Sequence, residues 1–389
     1  MRSTSRLSGQ AAVLRAVHGQ PGITRASVAH LLGMPSGFAA ETVARLASLQ
    51  LLTECPAPPT GIRGRPTTAL HPHPAGPLVA VGVIAHETWQ VAAVQLGGGK
   101  VESVGRSHRR DEAEVLAAVS AALEVIAGRY GERIRAVAVA VPGTVAAGAL
   151  AHAPNLGWHQ VDLETLWASR EPGCPFLAGN DATFAAIAEA RRGAAMGAGT
   201  ALHLYLDAGV GGAVIEGDRA LLGATGMAGE FGHMPFGDPA LRCRCGATGC
   251  WNTSLDGQAV ARALRQPVPD DEVSYTRRVL AAAQAGQPDE LSAMQAVARS
   301  LGRGAAGLVN AFDPSIVTVG GLGRDLLALA GDHVTPAYLD GLMRFRASPP
   351  PALIPAHFGD DAPLIGAAED AFAAVLTDEG LRAWTSRKA

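Results

Sequence analysis

Four soft metal donors, His233, Cys243, Cys245 and Cys250, fall within eighteen positions of a 389-residue chain. Zinc takes four tetrahedral nitrogen and sulfur ligands, and a set of three cysteines and one histidine with no open position is the structural kind. Gly246 and Gly249 inside 243-CRCGATGC-250 let the loop curl until three sulfurs converge. The competing reading is free cysteines in a loop. Three of five cysteines crowded into eight positions point to a metal, Zn2+, and not to disulfides.

With 48% hydrophobic and 17% charged residues the chain can fill substantial cores, and its length suits two or three domains. Glycine and proline are scattered as turn punctuation. Apolar runs such as 134-IRAVAVAVPG-143 are strand-length, far short of the roughly 20 residues of a membrane helix. The opening MRSTSRLSGQ has no signal-peptide core, so a cytoplasmic protein with no membrane partner is expected. Charge is uneven. Residues 1–75 hold seven Arg against Glu41 and Glu54, a balance of +5, which leaves −8 for the rest of a chain totalling −3. A small basic module beside a larger acidic one is the layout of a nucleic-acid reader with a separate partner domain.

Residues 9–52 read as three short helices. Ala12, Val13, Leu14 and Val17 form an apolar face, 19-GQPG-22 ends the first helix, Thr24 caps a second, Gly33 supplies a tight turn, and Ser36 caps a third through Phe38, Thr42, Val43, Leu46 and Leu49. That is helix–turn–helix spacing. Beyond it, 61-GIRGRPTTALHP-72 places Arg63 and Arg65 around a glycine before a β-prone run, as in a wing whose arginines meet phosphates or a narrow minor groove. A surface hairpin with solvated arginines is the other reading. From about residue 76 strands and helices alternate, at 78–85, 88–96, 112–130 and 134–141, then at 200–215, 294–312 and 315–321, which predicts two α/β lobes with a cleft between them.

The motifs 142-PGTV-145, 153-APNLGW-158, 180-NDATFAAIAEA-190, 223-GATGMAGEFGHMP-235, 243-CRCGATGCW-251 and 314-PSIVTVGG-321, with 25-RASVAHLLGM-34 and 64-GRP-66 before them, resemble the ROK (repressor, open reading frame, kinase) family. The resemblance implies a winged helix–turn–helix DNA-binding domain over 1–75. It implies a two-lobed actin-like ATPase domain of sugar-kinase-like, ribonuclease H-like architecture over 76–389, with a zinc site at 233–250. It further implies a sugar effector held by Asn155, Asn180, Asp181, Glu230 and His233, a double-stranded DNA operator, and a homodimer or homotetramer. Side chains that accept from and donate to vicinal hydroxyls suit that task, although Asn180-Asp181 also reads as an ordinary turn and helix cap. Arg25, Ser36, Thr42, Arg45, Arg63 and Arg65 are the expected DNA contacts. The third helix departs from the family, with Phe38-Ala39-Ala40-Glu41 where T-V-S-R is usual, and so do Thr183 and Asn252, where Asn and Glu are common.

Phosphoryl transfer requires a base and a means of holding ATP phosphates and Mg2+. Asp181 is a candidate base. Active ROK kinases open with D-x-G-G-T, whereas this chain has 81-VGVIAHETW-89, and 207-DAGVGG-212 keeps only part of the second glycine cradle. The expectation is therefore a DNA-binding regulator, a repressor, of carbohydrate-related genes, with no catalytic activity and Asp181 as a vestigial base. The alternatives are an active sugar kinase with an accessory DNA-binding domain, and a binding protein acting through protein partners.

Overall fold

The computed structural model describes residues 8–56, 68–146, 149–153, 155–167 and 173–386. Helices α1 (Gly9–Gly19), α2 (Arg25–Leu31) and α3 (Ser36–Ser48) form the expected trihelical unit, followed by an antiparallel pair of strands, β1 (Leu52–Pro56) and β2 (Thr68–Pro72). Val13, Leu14, Val17, Val28, Val43, Leu46 and Leu70 close a core between them. Thr24 caps α2 as expected, accepting from the Ser27 N–H at 3.1 Å. Ser36 does not cap α3: Pro35 occupies the cap and Ser36 is the first helical residue. The tip between the two strands, with Arg63 and Arg65, lies outside the described residues.

The first lobe runs β3 (Leu78–Ile84), β4 (Thr88–Gln95), β5 (Lys100–Ser107), α4 (Glu112–Tyr130), β6 (Ile134–Val141), β7 (Thr144–Ala146), β8 (Ala149–Ala153), β9 (Trp158–Asp162), β10 (Phe176–Asn180) and α5 (Asp181–Arg192). Its main sheet is ordered β10-β6-β3-β4-β5, with β3, β6 and β10 parallel, and β7-β8-β9 make a small separate sheet. The second lobe comprises β11 (Thr200–Leu206), β12 (Val210–Glu216), β13 (Arg219–Ala220), α6 (Gly257–Ala263), α7 (Glu272–Gln284), α8 (Pro288–Phe312), β14 (Ile316–Gly321), α9 (Leu322–Gly341) and β15 (Ala352–Pro355). Its sheet, β13-β12-β11-β14-β15, has the same order and the same change from antiparallel to parallel pairing. Helices α10 (Ala362–Val375) and α11 (Asp378–Ser386) return to the first lobe.

Burial explains the strand patterns. Every residue of β3 is buried, which fits a continuous apolar run covered on both faces. Strand β5, Lys-Val-Glu-Ser-Val-Gly-Arg-Ser, is an exposed sheet edge whose charges discourage further pairing; its polar composition hid it from the sequence reading. One continuous apolar cluster joins Val13, Val17 and Leu46 of the helical unit to Val79 and Val94 of the first lobe and to Phe372 and Trp384 of α10 and α11.

At the centre of the second sheet His203 faces Thr318 across β11 and β14, with Nδ1 2.8 Å from the threonine oxygen and both side chains out of water. Burial pushes the imidazole pKa down to about 3. Between that value and the ordinary 6.5 the unfolded chain binds a proton that the folded chain refuses, so this residue's contribution to stability falls as pH drops through that window. In urea titrations the stability gap between wild type and His203→Gln is expected to shrink by up to about 1.4 kcal/mol per pH unit below 6.5. A gap that stays constant from pH 7 to pH 5 contradicts this.

Candidate functional site

Asn155, Asn180, Asp181, Glu230 and His233 line one cavity between the lobes, together with Gly143, Thr144, His152, Tyr205 and Asp207. Strand β10 ends and α5 begins at Asn180, whose Oδ1 accepts from the Thr183 N–H at 3.0 Å while Nδ2 donates to the Gly143 carbonyl at 2.9 Å. Cap and cavity wall are thus the same side chain. Glu230 is held by Thr144, whose hydroxyl donates to it at 2.9 Å. Asp181 accepts from the Ala182 N–H at 2.8 Å. Burial raises its pKa to about 6 against the pull of backbone N–H groups, and the negative charge of Glu230 adds to the rise.

Two further acids belong to this cavity. Asp207 is pushed up to about 7, first by burial and then by the charge of Asp181, with Arg277 3.7 Å away pulling in the opposite direction. Asp256, which caps α6 by accepting from Ala259 N–H at 2.8 Å, is raised by burial to about 6. Sequence reading placed Asp207 only in a loop and missed Asp256. It also missed His152, a lone polar residue in the small apolar strand 149-ALAHA-153, which stacks on His159 with the two Nδ1 atoms 2.9 Å apart.

The turn after β3, where the sequence departs from a phosphate loop, makes a contact across the cleft. His86 Nε2 lies 3.2 Å from the Asp271 carboxylate at the start of α7, and the Ser274 hydroxyl donates to Glu87 at 2.8 Å. Arg110 adds a nitrogen 3.2 Å from the same imidazole edge and its carbonyl accepts from Trp158 Nε1. His86 and Glu87 therefore tie the first lobe to the second at one end of the cavity.

His233, Cys243, Cys245 and Cys250 converge as the spacing predicted, with their donor atoms all within 4.8 Å of one another. Cys243 Sγ lies 3.7 Å from His233 Nδ1, and Cys245 and Cys250 place their sulfurs 3.6 Å apart. A tetrahedral zinc with bonds of about 2.3 Å sets its ligand atoms about 3.8 Å apart, so the donors fit. Since Nδ1 faces the cysteines, Nε2 is left toward Glu230, 3.9 Å away. The loop is seated by Trp251, wholly buried, which donates from Nε1 to the Ser300 carbonyl on α8 at 3.1 Å. Asn252 accepts from the Val210 N–H at 2.7 Å and lies so close to Gly232 that any Cβ there would collide with its amide. It joins the 243–252 loop to the 207–212 loop.

Of the expected DNA contacts, Arg25, Ser36 and Arg45 are exposed, with Arg25 3.7 Å from Glu54. Thr42 is buried in the trihelical core and cannot reach a base edge, a correction that follows from the helix rotation placing it beside Val43 and Leu46. Among the described residues no helix is long and apolar enough to cross a membrane.

Comparison with known proteins bears on the same region. The sequence profile of the ROK family matches residues 86–372. A glucokinase from Streptomyces coelicolor is 31% identical over 274 residues, spanning 66% of this chain and 85% of that protein. A xylose repressor from Caldicellulosiruptor bescii is 28% identical over 200 residues, 48% of this chain and 50% of its own. Among solved structures, a ROK family transcriptional regulator homologous to the E. coli MLC protein superposes with a TM-score of 0.74 at 21% identity, covering 94% of this chain and 95% of its own. A ROK family glucokinase from Streptomyces griseus, in complex with glucose and AMPPNP, gives 0.65 at 27% identity over 76% of this chain and 99% of its own. The expectation that the chain is not an enzyme is overturned by the glucokinases: similarity at about this level over much of the chain points to a sugar kinase, and divergence at 81–89 and 207–212 is too local a signal to outweigh it. With a family match over more than half its length, and an actin-like ATPase fold behind N-terminal helices, this chain belongs to the ROK family.

Proposed function

We propose that the cavity between the lobes binds a sugar and that residues 1–75 form a DNA-binding domain, making the chain a sugar-responsive transcriptional regulator with residues 76–389 as its sensor. The observation that carries this reading is the helical unit with its β1–β2 hairpin, packed onto the first lobe in one continuous apolar cluster. The fold likeness to a transcriptional regulator extends over 94% of the chain, whereas the glucokinase likeness spans 76%. Exposed Arg25 and Arg45 are basic groups offered to phosphate, and the chain adds Arg63 and Arg65 between β1 and β2. The partners in this reading are a double-stranded DNA operator, a sugar and a second copy of the chain. DNA from upstream of the chain's own gene should be retarded in a gel shift at low salt, and a panel of sugars should change the affinity about five- to 150-fold. Absence of retardation at low salt defeats this reading.

A second reading, sugar phosphorylation, is favoured by Asp181, a half-buried carboxylate at the head of α5 inside the cavity, and by the glucokinase relatives. A base must be deprotonated to accept a hydroxyl proton. With Asp181 near 6, turnover of ATP with glucose should fall about tenfold per pH unit below that value, and Asp181→Asn should lower it at least about a hundredfold. No turnover with any hexose at pH 8 removes this second reading.

The Cys3His cluster is proposed to hold one structural Zn2+. Elemental analysis should find about one zinc per chain, reduced in Cys245→Ser, and chelation should lower the melting temperature together with sugar affinity because Glu230 and Asn252 adjoin the loop. Unchanged stability after complete chelation contradicts it.

A further inference from the structure

We propose that helix α5 is the mechanical link between the cleft and the helix–turn–helix unit, with Arg192 and His18 as its coupling residues. The inference rests on the reading of the cleft as a sugar site and names how occupancy of that site reaches the DNA-binding end.

The two ends of α5 lie in different environments about 18 Å apart, the length of twelve helical residues. At the first turn Asn180 and Asp181 line the cleft. At the last, Arg192 reaches three separate elements. It pairs through Nε with Glu369 of α10, donates from Nη1 to the Gly97 carbonyl in the β4–β5 turn at 3.2 Å, and donates from Nη2 to the His18 carbonyl of α1 at 2.9 Å. The His18 ring completes the cluster. Its Nδ1 accepts from the Gly97 N–H at 3.0 Å and so carries no proton; the ring hydrogen is therefore on Nε2, which donates to Glu369 at 3.2 Å. The side chains of His18, Arg192 and Glu369 are 8, 15 and 6% exposed. Water has little access to replace any of these bonds, so movement of one member must carry or break the others.

Two features make α5 transmit and not absorb displacement. Its backbone touches that of α10 at Gly366, where a Cβ would strike the Phe184 carbonyl, so the two helices move as a body. Buried Glu189, one turn before Arg192, accepts from the N–H groups of Ala194, His357 and Phe358 at 2.8, 3.0 and 2.8 Å, binding α5 to the segment that follows β15 in the second lobe. A change in lobe closure is thereby felt at the end of α5 that holds His18. Arg15 offers a contrast: it joins α1 to the Leu376 and Ala373 carbonyls at the C-terminal end of α10, at 2.8 and 3.1 Å, and bypasses the Arg192–His18 contact.

Hydrogen exchange on the full chain, with and without saturating glucose or xylose, tests the link. Wild type should slow exchange in segments 176–190 and 226–252 and, about tenfold, in 9–19. His18→Ala should keep the first two responses and reduce the third to less than about twofold. His18→Asn, whose amide oxygen still accepts from Gly97 but is too short for Glu369, should do the same and serves if the alanine variant does not fold. Arg15→Ala should behave as wild type. Cleft protection without any response in 9–19, or an Arg15→Ala variant as uncoupled as His18→Ala, overturns the link while leaving the sugar reading in place. No cleft protection with either sugar overturns both.

Discussion

The Arg192–Glu369 ion pair is enclosed by α1, α5, α10 and the β4–β5 turn, and its two charges have almost no water to turn to. Removing an ion from water costs several kcal/mol unless partners replace every lost hydrogen bond. Here the His18 ring donates to Glu369, and the Gly97 and His18 carbonyls accept from Arg192, which replaces most of them. The relative placement of helical unit, first lobe and C-terminal helices follows from that requirement as much as from apolar contact, since the surrounding cluster of valine, leucine and phenylalanine could tolerate small sliding motions that directional bonds do not.

The cleft shows the opposite use of burial. Asp181, Asp207 and Asp256 are raised chiefly by burial, and the arginines near Asp207 and Asp256 offset that rise only in part. Around them the walls are held by protein contacts: Asn180 by Gly143 and its own helix, Glu230 by Thr144, the cysteine loop by Trp251 and Asn252. Such supporting contacts keep the lining side chains in place without help from a ligand. The same family scaffold carries proteins named as kinases and as repressors.

Much of this was legible along the chain. Helices over Gly9–Gly19, Arg25–Leu31 and Glu112–Tyr130, and the strands Leu78–Ile84 and Ile134–Val141, follow from periodicity because each buries a face or both faces. The metal donors were legible too, since three cysteines and their glycines sit in a single loop. Strand β5 was not, because an edge strand with charged side chains has no apolar signature. Thr42 was misjudged as a DNA contact because helix spacing alone does not say which side of α3 faces the core. The expectation of a non-enzyme failed because missing glycines were given more weight than likeness to glucokinases over much of the chain.

Local pattern, then, determined which segments become helices and strands, where a loop can gather zinc ligands, and which family the chain resembles, since these depend on residues close together in sequence. Tertiary structure alone decided that Asp207 and Asp256 join Asp181 in one cavity, that His86 crosses to Asp271, and that His18 meets Glu369 across 351 positions of chain. Those contacts arise where two lobes and a helical unit close on one another, and the energy of a buried charge depends on that enclosure, which has no counterpart in the order of residues.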